Sequence, residues 1–136
     1  MNAFLSAHAP KVLSILRIIQ GFLIIWHGSG KLFAYPPGSH PAGNAFMIFG
    51  GVLEFFGGIL IFIGLGTRWA AFLLSGMMAV AYFMVHAKNG LFSAQSGTVE
   101  GELAIIYCFV FFYLFFAGGG PWSVDALLGK RSVAVD

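Results

Sequence analysis

Charged residues are scarce in this sequence. They make up 9% of its 136 residues, whereas hydrophobic residues make up 59%. Soluble domains average about 25% charged and about 45–50% apolar residues. A soluble domain of this size could not bury 16 phenylalanines without exposing aggregating patches. The composition therefore excludes an ordinary soluble domain and predicts a membrane protein in contact with lipid. The net charge of +2 gives no reason to expect a nucleic-acid partner.

Motifs for covalent links and inorganic cofactors are also missing. The single cysteine, Cys108, cannot form an internal disulfide. The sequence contains no C-x-x-C-H or H-x-x-x-H pattern and no G-x-x-x-x-G-K-[ST] phosphate loop. We therefore expect neither a metal site nor haem; the alternative is a haem iron ligated by His27 and His86. No inverted repeat is apparent, which disfavours a carrier.

Long apolar runs are what the sequence has instead of charge. A membrane-crossing helix needs roughly 20 apolar residues, with about 17–25 tolerated. Four runs predict such spans, at 12–34, 45–65, 69–87 and 99–117. The first is not interpreted as a cleavable signal peptide, because Arg17 interrupts its apolar core and no A-x-A site follows. The expected fold is all-α, a single-domain integral membrane four-helix bundle over residues 1–136.

Lysine and arginine are distributed unevenly between the two sides of this bundle. The side of the N-terminus has five of them: Lys11, Arg17, Arg68, Lys130 and Arg131. On the opposite side, Lys31 and Lys88 face Glu100 and Glu102, and we expect an ordinary rim of ion pairs there. Because cytoplasmic loops are enriched in lysine and arginine, both termini are expected to be cytoplasmic, in the cell (inner) membrane.

Turn and cap residues divide the chain further. The segment YPPGSHPAGN, residues 35–44, ends the first helix. Thr67 is the expected N-cap of the third helix. WSVDALLGKR, residues 122–131, is expected to form a short amphipathic helix on the membrane surface. Glycines recur at near-heptad spacing in the first two helices, which predicts close backbone packing.

Polar side chains follow one face of the first helix. At about 100° per residue, an arc of about 120° contains its polar and small residues: Arg17, Gln20, Gly21, His27, Gly28 and Lys31. Because small residues mark the packed face, this polar stripe is expected to face the bundle interior. On the third helix, Tyr82 and His86 share a second polar face with Ser75.

Glu54 is the acidic residue predicted deepest in the membrane, roughly 13 Å from the outer end of the second helix. A charge at that depth must be neutralised, paired or open to water. Depth favours His27 as its partner, with Lys31 and Arg17 as alternatives. One interpretation is a hydrogen bond that fixes helix register, and the other is a site that binds something polar. Arg17 alone is equally compatible with snorkelling to the cytoplasmic surface.

Five strings follow one another from about Leu16 to Leu128: LRIIQGFLIIWHGSGKLF, GGVLEFFGGILIFIGLGTRWAA, AVAYFMVHAKNGLF, GELAIIY and GGGPWSVDALL. In this order they resemble the DoxX family of small four-helix membrane proteins. The residues that match the family pattern are Arg17, His27, Gly28, Lys31, Glu54, Gly57, Gly58, Gly64, Arg68, His86, Asn89, Gly101, Glu102, Pro121 and Asp125. The resemblance implies a four-helix bundle linked to redox metabolism, since members are similar to the membrane subunit of a thiosulfate:quinone oxidoreductase.

The resemblance favours a quinone-interacting subunit with a polar intramembrane site. A quinone site needs an apolar slot and groups that hydrogen-bond to its oxygens. The candidate site residues are Arg17, His27, Lys31, Glu54, Tyr82, His86 and Glu102. The alternative is a non-enzymatic scaffold, assembly or chaperone partner of an oxidoreductase, and a homo-oligomer is compatible with both. Whether the chain is an enzyme stays open, because the sequence contains no electron-carrier motif.

Overall fold

The computed structural model describes residues 1–87 and 100–133, and every regular element in these ranges is helical. The elements are α1 (Asn2–Phe33), α2 (Ala45–Ile63), α3 (Thr67–Ala81), a π-helical turn (Tyr82–His86), α4 (Glu100–Ala117) and α5 (Val124–Val133). Three helices are long and apolar enough to cross a membrane, Asn2–Phe33, Ala45–Ile63 and Thr67–Val85, and the apolar helix Gly101–Ala117 is shorter. The architecture is therefore all-helical and compatible with a membrane bundle. The predicted outer loop at 88–98 lies outside the described residues.

Helices α1 and α2 pack against each other through glycines. A Cβ atom on Gly21 would lie 2.5 Å from the backbone nitrogen of Phe62, and one on Gly28 would lie 2.5 Å from that of Phe55. On the other side, a Cβ on Gly58 would lie 2.7 Å from Ile24 Cγ2. The contacts run in opposite directions along the two helices, so α1 and α2 are antiparallel. The packing role predicted for these glycines is confirmed.

The bundle has an apolar interior and an apolar outside. Ile24, Ile61, Leu74, Phe111 and Leu114 are buried in the core. More than half of the surface of several phenylalanines is exposed: Phe22, Phe56, Phe72 and Phe109. Contiguous exposed apolar surface of this kind marks contact with lipid or with another protein. The helices therefore present to their surroundings what a bilayer accepts.

The start of α3 differs from the prediction. Thr67 is the first helical residue and not the N-cap, which is Gly66. The capping acceptor comes from the start of α5, where the carboxylate of Asp125 accepts hydrogen bonds from the N–H groups of Gly66 at 2.7 Å and Thr67 at 2.8 Å. Each oxygen of this carboxylate accepts from one of the N–H groups that the start of a helix leaves without an intrahelical partner. The helix predicted after Trp122 is present, beginning at Val124.

Candidate functional site

Arg17 lies inside the bundle. Its side chain has no exposed surface, and its guanidinium donates to backbone carbonyls: Gly119 O at 2.8 Å, Ile61 O at 2.5 Å, Trp122 O at 2.6 Å and, more closely, Phe62 O. Two of these carbonyls belong to the last turn of α2, where helical N–H donors run out; Ile61 O also accepts the N–H of Gly64 at 3.2 Å. The snorkelling predicted as one alternative is therefore wrong. A guanidinium has five N–H donors, and the four backbone carbonyls around Arg17 satisfy them inside the bundle.

Arg68 and Asp125 bind helix termini at the same end. Arg68 Nη1 donates to Phe115 O at 2.9 Å and Phe116 O at 2.6 Å, in the last turn of α4. Asp125 binds the first N–H groups of α3. Burial opposes ionisation of Asp125, but hydrogen bonds from the N–H groups of Thr67 and Gly66, together with the Arg17 charge, lower its pKa below the ordinary value. We call these three side chains and the helix termini they bind the arginine end.

A shallow cavity of about 400 Å³ opens at the arginine end, with Arg68, Trp69, Ser123 and Asp125 in its wall. Both charged groups in that wall are already bonded to backbone atoms. The serine hydroxyl also donates to Gly120 O at 2.7 Å. The cavity therefore lies next to side chains that stabilise the fold.

A different arrangement surrounds Glu54. Lys31 Nζ lies 2.6 Å from Glu54 Oε1, and the Lys31 side chain is 32% exposed whereas that of Glu54 is 4% exposed. The partner favoured from the sequence, His27, is therefore wrong, and the alternative, Lys31, is correct. His27 Nδ1 is instead bonded to Leu23 O at 2.9 Å, one turn back along α1. The longer lysine side chain reaches α2 beside Gly51, which leaves space next to Lys31 Cβ.

The second oxygen of the Glu54 carboxylate is not paired. Oε2 is buried, and no residue of the described ranges forms a hydrogen bond with it. A buried acceptor without a donor costs about 1–3 kcal/mol. Gln20 Oε1 is in the same situation seven residues before His27, roughly 10 Å away along α1. Unpaired buried polar atoms of this kind are candidates for contact with a ligand.

His27 and Tyr107 meet beside the ion pair. Their ring centroids are 5.7 Å apart at an interplanar angle of 76°. Tyr107 on α4 is 5% exposed, whereas His27 is exposed. Since Leu23 O can only accept, His27 Nδ1 bears a hydrogen, and Nε2 remains for another partner. We call Lys31, Glu54, His27 and Tyr107 the Lys31–Glu54 site; it lies where α1, α2 and α4 meet.

Sequence reasoning missed Tyr107 as a site residue and included others that lie elsewhere. Tyr107 follows a run of apolar residues in α4, and its hydroxyl alone does not separate it from Tyr113 on the exposed face. Arg17 is 14 residues before Lys31 on α1, or roughly 21 Å away. It therefore belongs to the arginine end and is removed from the candidate site.

The remaining predicted site residues are not brought to the ion pair by any contact among the described side chains. Tyr82 is half-buried, and its ring lies 5.3 Å from that of Phe83 on the π-helical turn. This turn interrupts the α-helical register used to place Tyr82 and His86 on one face. Glu102 is half-buried near the start of α4. Tyr82 and Glu102 stay predictions as site residues. So does His86, whose side chain lies outside the described part of the molecule.

Several further predictions fall on side chains that lie outside the described part of the molecule. They are the haem ligation, which needs His86 beside His27, the ion-pair rim at Lys88 and Glu100, and the charges of Lys130 and Arg131; of these side chains only His27 is described. Lys31 was also predicted to belong to this rim, together with Glu102, but it pairs with Glu54 instead. Among the described residues, no three His, Cys, Asp or Glu side chains are grouped as metal ligands.

Comparisons with known proteins agree with the membrane architecture. The DoxX family model matches residues 12–87. An uncharacterized protein of Haemophilus influenzae is 38% identical over 134 residues, which is 93% of this chain and 98% of that protein. An uncharacterized membrane protein of Mycobacterium tuberculosis is 30% identical over 148 residues, covering 96% of this chain and 89% of that protein. No solved structure matches the chain.

Proposed function

Because the chain belongs to the DoxX family of membrane proteins, we propose that it is a quinone-interacting subunit whose Lys31–Glu54 site binds a quinone head group. One observation supports this above the others. A buried carboxylate inside an apolar bundle has one oxygen paired with lysine and the other unpaired among the described residues. Apolar pockets with a few convergent polar groups are typical of small-molecule sites. Intramembrane ionisable residues are by default candidates for such sites.

The side chains around Glu54 suit a ring with oxygen substituents. The Lys31 ammonium is a hydrogen-bond donor, and His27 Nε2 is available on the exposed side. The rings of Phe33 and Phe55 lie 5.5 Å apart, edge to face, in the same part of the α1–α2 contact. A head group placed here would have polar partners on one side and aromatic surface on the other, with its isoprenoid tail in the lipid.

The proposal includes a partner and an orientation. A bound quinone must exchange electrons with a redox partner. The proposed partner is an oxidoreductase that binds to this subunit. The proposed orientation has the arginine end and both termini in the cytoplasm and the Lys31–Glu54 site in the outer half of the inner membrane, and the lysine and arginine bias supports it. Labelling of single cysteines placed at Ser6 and Ser39 in intact cells tests this orientation: only the second should react with an impermeant maleimide.

The quinone site is tested by removing the ion pair as a unit. In Lys31→Met/Glu54→Leu both charges are replaced by apolar side chains of similar volume, which leaves no unpaired charge. Small molecules are extracted from detergent-purified protein and identified by mass spectrometry. We expect quinone with the wild type and none with the double variant. Asp125→Asn is the control, since it removes a carboxylate at the arginine end and should retain quinone. Equal retention by the wild type and double variant would contradict the proposed site.

A second candidate function is a membrane scaffold for an oxidoreductase. Residues 1–12, at the start of α1, are all exposed, and Phe4 and Leu5 present apolar surface there. Such a surface suits a protein partner or the membrane interface. Blue-native electrophoresis of membranes that contain the full chain or a chain without residues 2–9 separates the two functions. A scaffold loses its larger complex on truncation, whereas the quinone content of a binding subunit is unchanged.

A further inference from the structure

One atom of the Lys31–Glu54 site restricts the chemistry of what can bind beside it. Glu54 Oε1 is held 2.6 Å from the Lys31 ammonium. Glu54 Oε2 is buried, and none of the residues at 1–87 and 100–133 donates a hydrogen to it. A carboxylate oxygen can only accept a hydrogen bond. The ligand group complementary to Oε2 is therefore a hydrogen-bond donor.

We infer that the Lys31–Glu54 site selects the reduced, hydroxyl-bearing hydroquinone over the oxidised quinone, an inference that rests on the proposed quinone-binding function. A hydroquinone hydroxyl can donate its hydrogen to Glu54 Oε2 while its oxygen accepts from the Lys31 ammonium. A quinone carbonyl oxygen can only accept hydrogen bonds. Beside Glu54 Oε2 it would repel another acceptor and leave Oε2 unpaired. Sites built to bind a hydroxyl reject analogues without it, because their own buried polar groups are left unpaired.

The exposure of the surrounding side chains provides a way in for the head group. Glu54 is 4% exposed, whereas Lys31 is 32% exposed and His27 is exposed on the same face of α1. A lysine side chain is flexible, and its ammonium has three rotatable donors. Turning the Lys31 ammonium outward uncovers the carboxylate and keeps a donor beside the incoming hydroxyl. The exposed side of the ion pair, at Lys31 and His27, is therefore the inferred route of entry.

Two redox forms of one short-chain quinone test the inference. Decylubiquinol and decylubiquinone are titrated anaerobically into the full chain in nanodiscs, and a Kd is measured for each. We expect the wild type to bind the quinol at least about tenfold more tightly. In Glu54→Gln the amide oxygen faces Lys31 and an NH₂ group replaces Oε2, so the preference should reverse toward the carbonyl form. Tyr113→Phe, on the exposed face of α4, is the matched control and should leave the ratio unchanged.

The outcomes separate this inference from the proposed function. Equal affinity of the wild type for the two forms, or a quinol preference that persists in Glu54→Gln, overturns the selection of the reduced form and leaves quinone binding intact. Absence of binding of either form to the wild type overturns the proposed function and the inference together. The wild-type ratio decides by itself if Glu54→Gln does not fold.

Discussion

The two ends of the bundle treat their charged side chains differently. At the arginine end, the Arg17 guanidinium donates to four backbone carbonyls, and Arg68 and Asp125 bind helix termini. At the Lys31–Glu54 site, one lysine meets one carboxylate, and the second carboxylate oxygen has no partner among the described residues. Charged side chains are therefore bonded to the backbone at one end and to each other, through one partly exposed lysine, at the other.

This difference predicts which charged side chains stabilise the fold and which are candidates for binding another molecule. Backbone carbonyls at a helix end need donors in every state of the protein, so a side chain that supplies them is part of the fold. An unpaired carboxylate oxygen contributes nothing to the fold and is destabilising if it stays empty. An atom of this kind is a candidate for contact with another molecule. We accordingly expect mutations at the arginine end to change stability and mutations at the Lys31–Glu54 site to change binding.

The largest effect is expected for Arg17→Met. The substitution leaves the carbonyls of Phe62, Gly119 and Trp122 without their donor inside the bundle, and Ile61 O keeps only the N–H of Gly64. Each unpaired buried group costs about 1–3 kcal/mol, so the total loss should be about 3 kcal/mol or more. Thermal unfolding in detergent, followed by circular dichroism, measures it.

Arg68→Met is the matched control for Arg17→Met. Arg68 also donates to two carbonyls, but it is exposed, so water can replace its hydrogen bonds. We expect a loss of about 1 kcal/mol or less. Similar losses for the two arginines would show that burial of Arg17 is not what makes it structural.

The contrast between the two arginines also shows what the sequence could predict. Apolar runs predicted the helices, and glycine spacing predicted close backbone packing of the first two, because both follow from periodicity along one segment. Asp125 lies 58 residues from Thr67, and Arg17 lies 102 residues from Gly119. Hydrogen bonds to helix termini from segments so far apart in the sequence depend on tertiary packing. The periodicity of a single segment does not predict them.

Within the site, depth alone predicted Glu54 correctly as a residue that needs a partner but chose the wrong partner. His27 and Lys31 are one turn apart on the same face of α1. The choice between them depends on side-chain length and on the local bond from His27 to Leu23 O. The edge-to-face contact of His27 with Tyr107 depends on how α4 is placed against α1. The local hydrogen bond of His27 and its contact with Tyr107 cannot be derived from residue spacing along one helix.

Gly28→Ala should have the next largest effect and sharpens the comparison beside the site. The new Cβ would lie 2.5 Å from the backbone nitrogen of Phe55, the residue after Glu54, so α2 must shift. Overpacking of this kind costs about 1–3 kcal/mol. Gly50→Ala is the control, because its nearest neighbour, Met77 Sδ, is 4.0 Å away. Unfolding of both variants in detergent gives the comparison, and equal stabilities would contradict the packing role of Gly28.

Asp125→Asn should have a smaller effect that depends on pH. Burial opposes ionisation of Asp125, but the Thr67 and Gly66 N–H donors and the Arg17 charge lower its pKa in the folded state. A lowered folded pKa stabilises the protein above the unfolded value, about 3.9, and this contribution is lost as the pH falls through the lower folded value. The amide of the variant keeps one acceptor oxygen and sets an NH₂ group against the other N–H donor, which should cost about 1 kcal/mol at neutral pH. Unfolding of wild type and variant from pH 7 to pH 3 should show the difference shrinking in acid; a constant difference would contradict the ionised cap.

The smallest change in stability is expected for Lys31→Met/Glu54→Leu, although this variant removes more charge than any other above. Replacing a buried ion pair by apolar side chains of similar volume is often neutral or stabilising, because neither charge is then left alone. The variant also removes the unpaired Oε2, which destabilises the empty site. We therefore expect its free energy of unfolding in detergent to stay within about 1 kcal/mol of that of the wild type. The single variant Lys31→Met leaves Glu54 buried without its cation and should be clearly less stable. If the double variant is as unstable as Lys31→Met, the ion pair holds α1 against α2, and the Lys31–Glu54 site belongs to the architecture in the same sense as Arg17.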